Sequence, residues 1–144
     1  MNHTSKSLNA FRTLTLFTLG ALLIEFILGM YTALFVEFPD TLTDGNAWAW
    51  SQGSLVVQAH VLVGTLLVLL VLATVVLGFV ARNRNAIISA IAGLVLVAVA
   101  YVSGSIFLAN IANDNYSFYM ALGFVGSVVA YFAAFYFTRP VRES

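Results

Sequence analysis

The chain has no cysteine. Disulfides, thiolate-bound zinc, iron–sulfur clusters and covalent c-type haem attachment are therefore excluded. Charge is nearly as scarce. Asp, Glu, Lys and Arg make up 8% of the residues, where a soluble domain carries about 25%. Six basic side chains balance six acidic ones. No basic surface is offered to a nucleic acid, and there is no charged run of the kind that marks a disordered tail. What fills the chain instead is apolar: 61% of its 144 residues are hydrophobic, with a mean hydropathy of +0.97. A small water-soluble domain leaves much of its surface exposed and could not hide so much apolar area. The composition is that of an integral membrane protein, with the lipid bilayer as its first partner.

Four apolar runs, at about residues 11–36, 53–80, 86–111 and 116–137, each exceed the roughly 20 residues that a helix needs to cross the hydrocarbon. The first is too long for a signal peptide, carries Glu25 in its middle and lacks a small-residue cleavage site. Short connections make successive helices antiparallel, so the expected fold is all-α, a single up-down four-helix transmembrane bundle. The charges predict its orientation. Lys6, Arg12, Arg82, Arg84, Arg139 and Arg142 fall on one side, Glu37, Asp40, Asp44 and Asp114 on the other. The positive-inside pattern then puts the N- and C-termini in the cytoplasm of a cell membrane. The one longer connection, at about residues 37–52, contains Pro39, Asp44-Gly45, Trp48 and Trp50. Its tryptophans suit the headgroup level.

Few polar groups lie at membrane depth. His60 is the one intramembrane histidine, about seven residues into span 2, or roughly 10 Å deep. An imidazole there is either a ligand for iron or another metal or an interhelical hydrogen-bonding group. Counting inward from the loops brings Gly29-Met30, Gly104 and Gly123 to the same layer, with Gly64 one turn inward of His60 on its own face. Small residues at one depth make room for a flat macrocycle or serve close helix crossings. Met30 and Met120 lie near this depth and are candidate sixth ligands, with plain packing as the other reading. Glu25 is the sole acid at mid-membrane, on a helical stripe with Thr18, Ala21, Gly29 and Thr32. A charge there costs at least about 2.5–3.5 kcal/mol. Glu25 is expected to face the bundle, protonated or hydrogen-bonded, as a proton-relay group, a partner for a cofactor, or a partner for Ser or Thr. It lies roughly 7 Å inward of the histidine layer, and no direct contact between the two follows from the count. Tyr131, Phe132, Phe135, Tyr136 and Phe137 read as an inner interfacial belt and core.

Three segments carry a family resemblance: Gln58-Ala-His-Val-Leu-Val-Gly64, Ala100-Tyr-Val-Ser-Gly104 and Met120-Ala-Leu-Gly-Phe124. Over residues 58–132, and more weakly in span 1, the order of features resembles one four-helix half of a haem A synthase. The resemblance implies non-covalent haem b, with His60 as the iron ligand in a slot opened by Gly64, Gly104 and Gly123. It also implies a homodimer that restores the eight-helix arrangement, with the Gly- and Ala-rich faces of spans 1 and 3 allowing close approach. The departures are specific. The family's second ligand histidine falls at or near Gly123, its catalytic glutamate at Val57 and the arginine after its first histidine at Val61. The implied protein keeps a haem-holding half without the apparatus for oxidising haem. It would bind a small gas or pass electrons through haem ligated by one histidine. Two other functions fit the same residues: a non-catalytic scaffold or accessory subunit without cofactor, or a small proton or ion pathway through Glu25.

Overall fold

The computed structural model describes residues 3–39, 41–43, 45–109 and 114–139, with backbone alone at 3, 4 and 114. Among the described residues, five helices form: α1 (His3–Phe35), α2 (Ala47–Ser51), α3 (Leu55–Val80), α4 (Arg84–Ala109) and α5 (Asp114–Phe137). Four are long and apolar enough to cross a membrane, and the described residues contain no strand. At 1.5 Å per residue, the 26 residues of α3 or α4 outreach the roughly 30 Å hydrocarbon core. The chain is an all-α integral membrane bundle. The expected spans correspond to α1, α3, α4 and α5. α1 begins about eight residues before the apolar run, because nothing at its start breaks a helix. α2, in the long connection, has no counterpart in the sequence reading.

Local chemistry sets the ends. Ser54 accepts a hydrogen bond from the Val57 N–H and starts α3. α3 and α4 are joined by a tight turn in which Arg82 takes a left-handed φ of 51°, a conformation costly for a residue with a Cβ. Asn83 then caps α4, its Oδ1 accepting from the Ala86 N–H at 3.0 Å. In the long connection, Asn46 Oδ1 accepts from the Thr43 N–H at 2.7 Å and its Nδ2 donates to the Thr41 carbonyl at 3.0 Å. Asp40, Asp44, Arg142 and the side chain of Asp114 lie outside the described residues.

The spanning helices form a closed ring in the order α1, α3, α4, α5, each antiparallel to its neighbours. Paired contacts fix the register: Thr18 with Thr74 between α1 and α3, Thr65 with Tyr101 between α3 and α4, and Phe26 with Phe124 between α1 and α5. Lys6, Arg12, Arg82, Arg84 and Arg139 consequently gather at one end, and Glu37 and α2 at the other. Two apolar clusters fill the interior. One joins Leu22, Leu67, Val71, Val97 and Tyr131 at mid-bundle, and the other joins Phe11, Ala86, Ala90 and Ala134 at the basic end. The large side chains outside, such as Phe17, Leu34, Leu62, Leu69, Val129 and Phe132, are exposed, as a lipid-facing surface requires.

Within the aromatic run expected to serve as inner belt and core, Tyr131 is a core residue. It is fully buried and lies against Gly93 of α4, where an added Cβ would stand 2.5 Å from the ring. Phe132, Tyr136 and Phe137 are exposed, as a belt would be.

Candidate functional site

Glu25 and His60 meet. Glu25 Oε1 lies 3.0 Å from His60 Nδ1, across the seam between α1 and α3, with the two side chains 16% and 23% exposed. The turn that separates them in depth is bridged by the reach of the two side chains.

Glycine makes the approach possible, and it does so reciprocally. Gly29 follows Glu25 by four residues on α1, and Gly64 follows His60 by four residues on α3. In antiparallel helices this sets each polar side chain level with the other helix's glycine. A Cβ at Gly29 would lie 3.2 Å from His60 Cε1, and a Cβ at Gly64 would lie 2.8 Å from Glu25 Oε1. Imidazole and carboxylate therefore fill the places that larger residues at 29 and 64 would take. The 3.0 Å approach is not aligned as a ring N–H hydrogen bond: His60 Nδ1 and Glu25 Oε2 are both buried without a hydrogen-bond partner. Tyr101 of α4 packs 3.9 Å from the Gly64 Cβ position, and its hydroxyl lies 3.3 Å from Thr65 Oγ1. Among the segments that carry the resemblance, Ala100–Gly104 thus supplies a side chain, Tyr101, that meets α3.

The other residues singled out from sequence lie elsewhere. Gly104, Gly123 and Met120 belong to the seam between α4 and α5, on the opposite side of the ring. Met120 Sδ stands 3.0 Å from the Cβ position of Gly104. At Gly123 the α4 backbone itself comes close, with the Leu96 carbonyl oxygen 2.7 Å and the Ala100 nitrogen 2.9 Å from an added Cβ. Ser127, one turn on, donates to the Gly123 carbonyl at 2.7 Å. Met30 is exposed on α1. The layer inferred from depth is thus divided between two seams.

This bears on a haem beside His60. Such a group would need open space beside the imidazole, among the glycines expected to make room for it. The Glu25 carboxylate fills the space at Gly64, the α4 backbone fills that at Gly123, and the Met120 sulfur fills that at Gly104. As packed here, these residues do not fit the group. Among the described residues, no three of His, Cys, Asp and Glu gather to hold a metal ion.

The pair lies toward the α2 end. His60 is five residues into α3, or roughly 8 Å along its axis. Beyond it, toward the basic end, stands the mid-bundle apolar layer of Leu22, Leu67, Val71, Val97 and Tyr131. Further on come buried threonines, Thr18 with its hydroxyl 3.3 Å from that of Thr74. At the α2 end, Phe38 packs between Trp50 and Phe107, at centroid distances of 5.1 and 5.8 Å. A groove of about 450 Å³ runs along the outer face of α3, lined by residues that include Trp48, Gln52, Gln58, Leu62 and Thr65. The Gln58 amide donates to the Gln52 carbonyl beside it. His60 does not line this groove.

Compared with known protein families, with curated proteins and with solved structures, the chain matches none. Its chemistry rests on its own geometry.

Proposed function

We propose that the chain is a small proton-exchanging membrane protein, with Glu25 and His60 as its working pair and the α2 end as the side from which protons come and go. The single observation that carries this is the 3.0 Å approach of Glu25 Oε1 to His60 Nδ1 inside the apolar spans. Ionisable side chains at membrane depth are costly and are kept where they do something. Imidazole is the side chain whose ordinary titration falls nearest neutral pH. Set against a carboxylate, it can take a proton on one ring nitrogen and pass one from the other. Gain or loss of one proton changes the net charge of the pair by one.

The apolar layer inward of the pair favours exchange on one side over a pathway through the bundle. In this reading the termini and the turn between α3 and α4 are cytoplasmic, following the basic end, and protons arrive from the opposite face. Haem ligation by His60 is the rival, and it requires α1 to withdraw from α3.

Infrared difference spectroscopy of the protein in vesicles, titrated between about pH 5 and 8, tests the reading. Carboxyl and imidazole bands are expected to change together when the bulk pH is stepped, because the two groups touch. Glu25→Gln should remove the carboxyl band and alter the imidazole band, and His60→Gln should do the converse. Vesicles holding the protein alone should show no sustained proton current. An absence of titrating bands sinks the proposal. A Soret band at about 400–430 nm, lost in His60→Ala, transfers the site to haem.

A further inference from the structure

Thr32 departs from the habit of the other buried threonines. Among the described residues, five threonines are buried in the helices or at their ends: Thr15, Thr18, Thr32, Thr74 and Thr138. Four donate to the carbonyl four residues back: Thr15 to Phe11 at 2.9 Å, Thr18 to Leu14 at 2.9 Å, Thr74 to Leu70 at 2.9 Å and Thr138 to Ala134 at 2.6 Å. This is the usual refuge of a hydroxyl in an apolar helix. Thr32 is 8% exposed, and its Oγ1 is buried with no hydrogen-bond partner, although Leu28 stands at the same spacing. Its hydroxyl is not used to satisfy its own helix.

Its position says what it is used for. Glu25, Gly29 and Thr32 follow one another at four and three residues, on one face of α1. Gly29 is where the His60 ring sits. Thr32 is the next step along that face toward the α2 end, about 4.5 Å beyond Gly29 along the axis. Three buried polar atoms without a hydrogen-bond partner therefore follow along this seam: Glu25 Oε2, His60 Nδ1 (set against Glu25 Oε1) and Thr32 Oγ1. Buried polar atoms in folded proteins nearly always find partners, ordered water included. A carboxylate oxygen, a ring nitrogen and a hydroxyl are what a buried water takes, at two to four hydrogen bonds each. They are too few oxygens for a calcium or magnesium ion, which needs about six.

We infer that Thr32, His60 and Glu25 hold a short run of water, and that Thr32 is the positioning residue through which protons from the α2 end reach the pair. This rests on the proton exchange proposed above. A proton arriving on the water beside Thr32 passes to the imidazole, and the water is left neutral. The imidazole, protonated on Nε2, gives up its Nδ1 proton to a water that passes one of its own to Glu25 Oε2, and the hydroxyl of Thr32 ends with the proton it began with.

The test compares Thr32→Val, which keeps the shape and removes the hydroxyl, with Thr32→Ser, which keeps the hydroxyl. The readout is the rate at which the Glu25 and His60 infrared bands shift after rapid mixing of vesicles into D2O. Thr32→Val is expected to slow this exchange by roughly a hundredfold, the lower end of what a positioned proton-transfer group contributes, and Thr32→Ser to restore it. Exchange in Thr32→Val at the wild-type rate, or in Thr32→Ser as slow as in Thr32→Val, overturns the role of Thr32 and leaves the proton-exchanging pair standing. Bands that neither titrate nor exchange in the wild type overturn both. A measurement on the wild type alone guards against a variant that does not fold. In water-edited solid-state NMR, magnetisation from water should reach Thr32 and the His60 ring well before it reaches Leu22 and Val71. Equal arrival at all four overturns the inference.

Discussion

Gly93 and Tyr131 set the strictest steric condition among the glycines of the bundle. A Cβ on Gly93 would lie 2.5 Å from Tyr131 Cζ and 2.8 Å from its hydroxyl. The ring is fully buried, so it has no free volume into which to retreat. Gly93→Ala is therefore expected to destabilise the bundle by about 1–3 kcal/mol, the usual cost of overpacking, despite alanine's better helix propensity. Tyr131→Phe acts in the other direction. It removes a buried hydroxyl that has no hydrogen-bond partner, so stability should hold or rise by about 1 kcal/mol. Thermal unfolding in detergent checks both, and a Tyr131→Phe variant much less stable than wild type would show that the hydroxyl has a partner. Tyr131 illustrates what sequence withholds at this scale. Its place in an aromatic run suits belt and core alike, and only the glycine opposite, on another helix, makes a pocket for it. Glu25 and His60 were each legible as rare polar groups at membrane depth. Their contact was not, because it depends on Gly29 and Gly64 falling level across an antiparallel seam.

Whole elements were easier to read than their neighbours. Runs of more than twenty apolar residues announce spanning helices whatever their partners, and α3, α4 and α5 begin and end within about two residues of those runs. α1 overran its apolar run because a helix continues through Lys6 and Arg12 once hydrophobicity stops. α2 escaped notice because five residues carry too little periodicity to register. Which helix face meets which partner is set by packing, and the seam between α4 and α5 shows how finely. Gly123 faces the α4 backbone at 2.7 and 2.9 Å, whereas Gly104 faces the sulfur of Met120 at 3.0 Å. A main chain held in a helix cannot step aside, but a methionine side chain can change rotamer. Gly123→Ala should accordingly cost clearly more stability than Gly104→Ala, by about 1 kcal/mol or more. Unfolding midpoints for the two variants under one set of conditions give the comparison. Equal losses would mean that the helices slide apart as readily as Met120 moves.

The molecule as a whole combines a ring of four antiparallel helices with a strong sorting of charge. Lys6, Arg12, Arg82, Arg84 and Arg139 share one end, with Glu37 and α2 at the other. Ring order explains why the depth-matched glycines did not make one site: α1 with α3 and α4 with α5 form opposite seams. It also takes up small residues that a dimer was expected to use, since Gly29, Gly93 and Gly104 pack inside, while Gly20 of α1 has open space before it. The positive-inside rule predicts the direction of insertion from the charges, and the proposed proton site needs that direction, because it fixes the face that its α2 end meets. The natural absence of cysteine makes the test clean. Gly45→Cys, in the connection before α2, and Asn85→Cys, at the start of α4, are each exposed in the fold. In intact cells an impermeant thiol reagent should label Gly45→Cys and leave Asn85→Cys untouched until the membrane is permeabilised. Labelling of both before permeabilisation would break the four-span topology. The reverse pattern would invert the protein and turn the Glu25–His60 pair toward the cytoplasm.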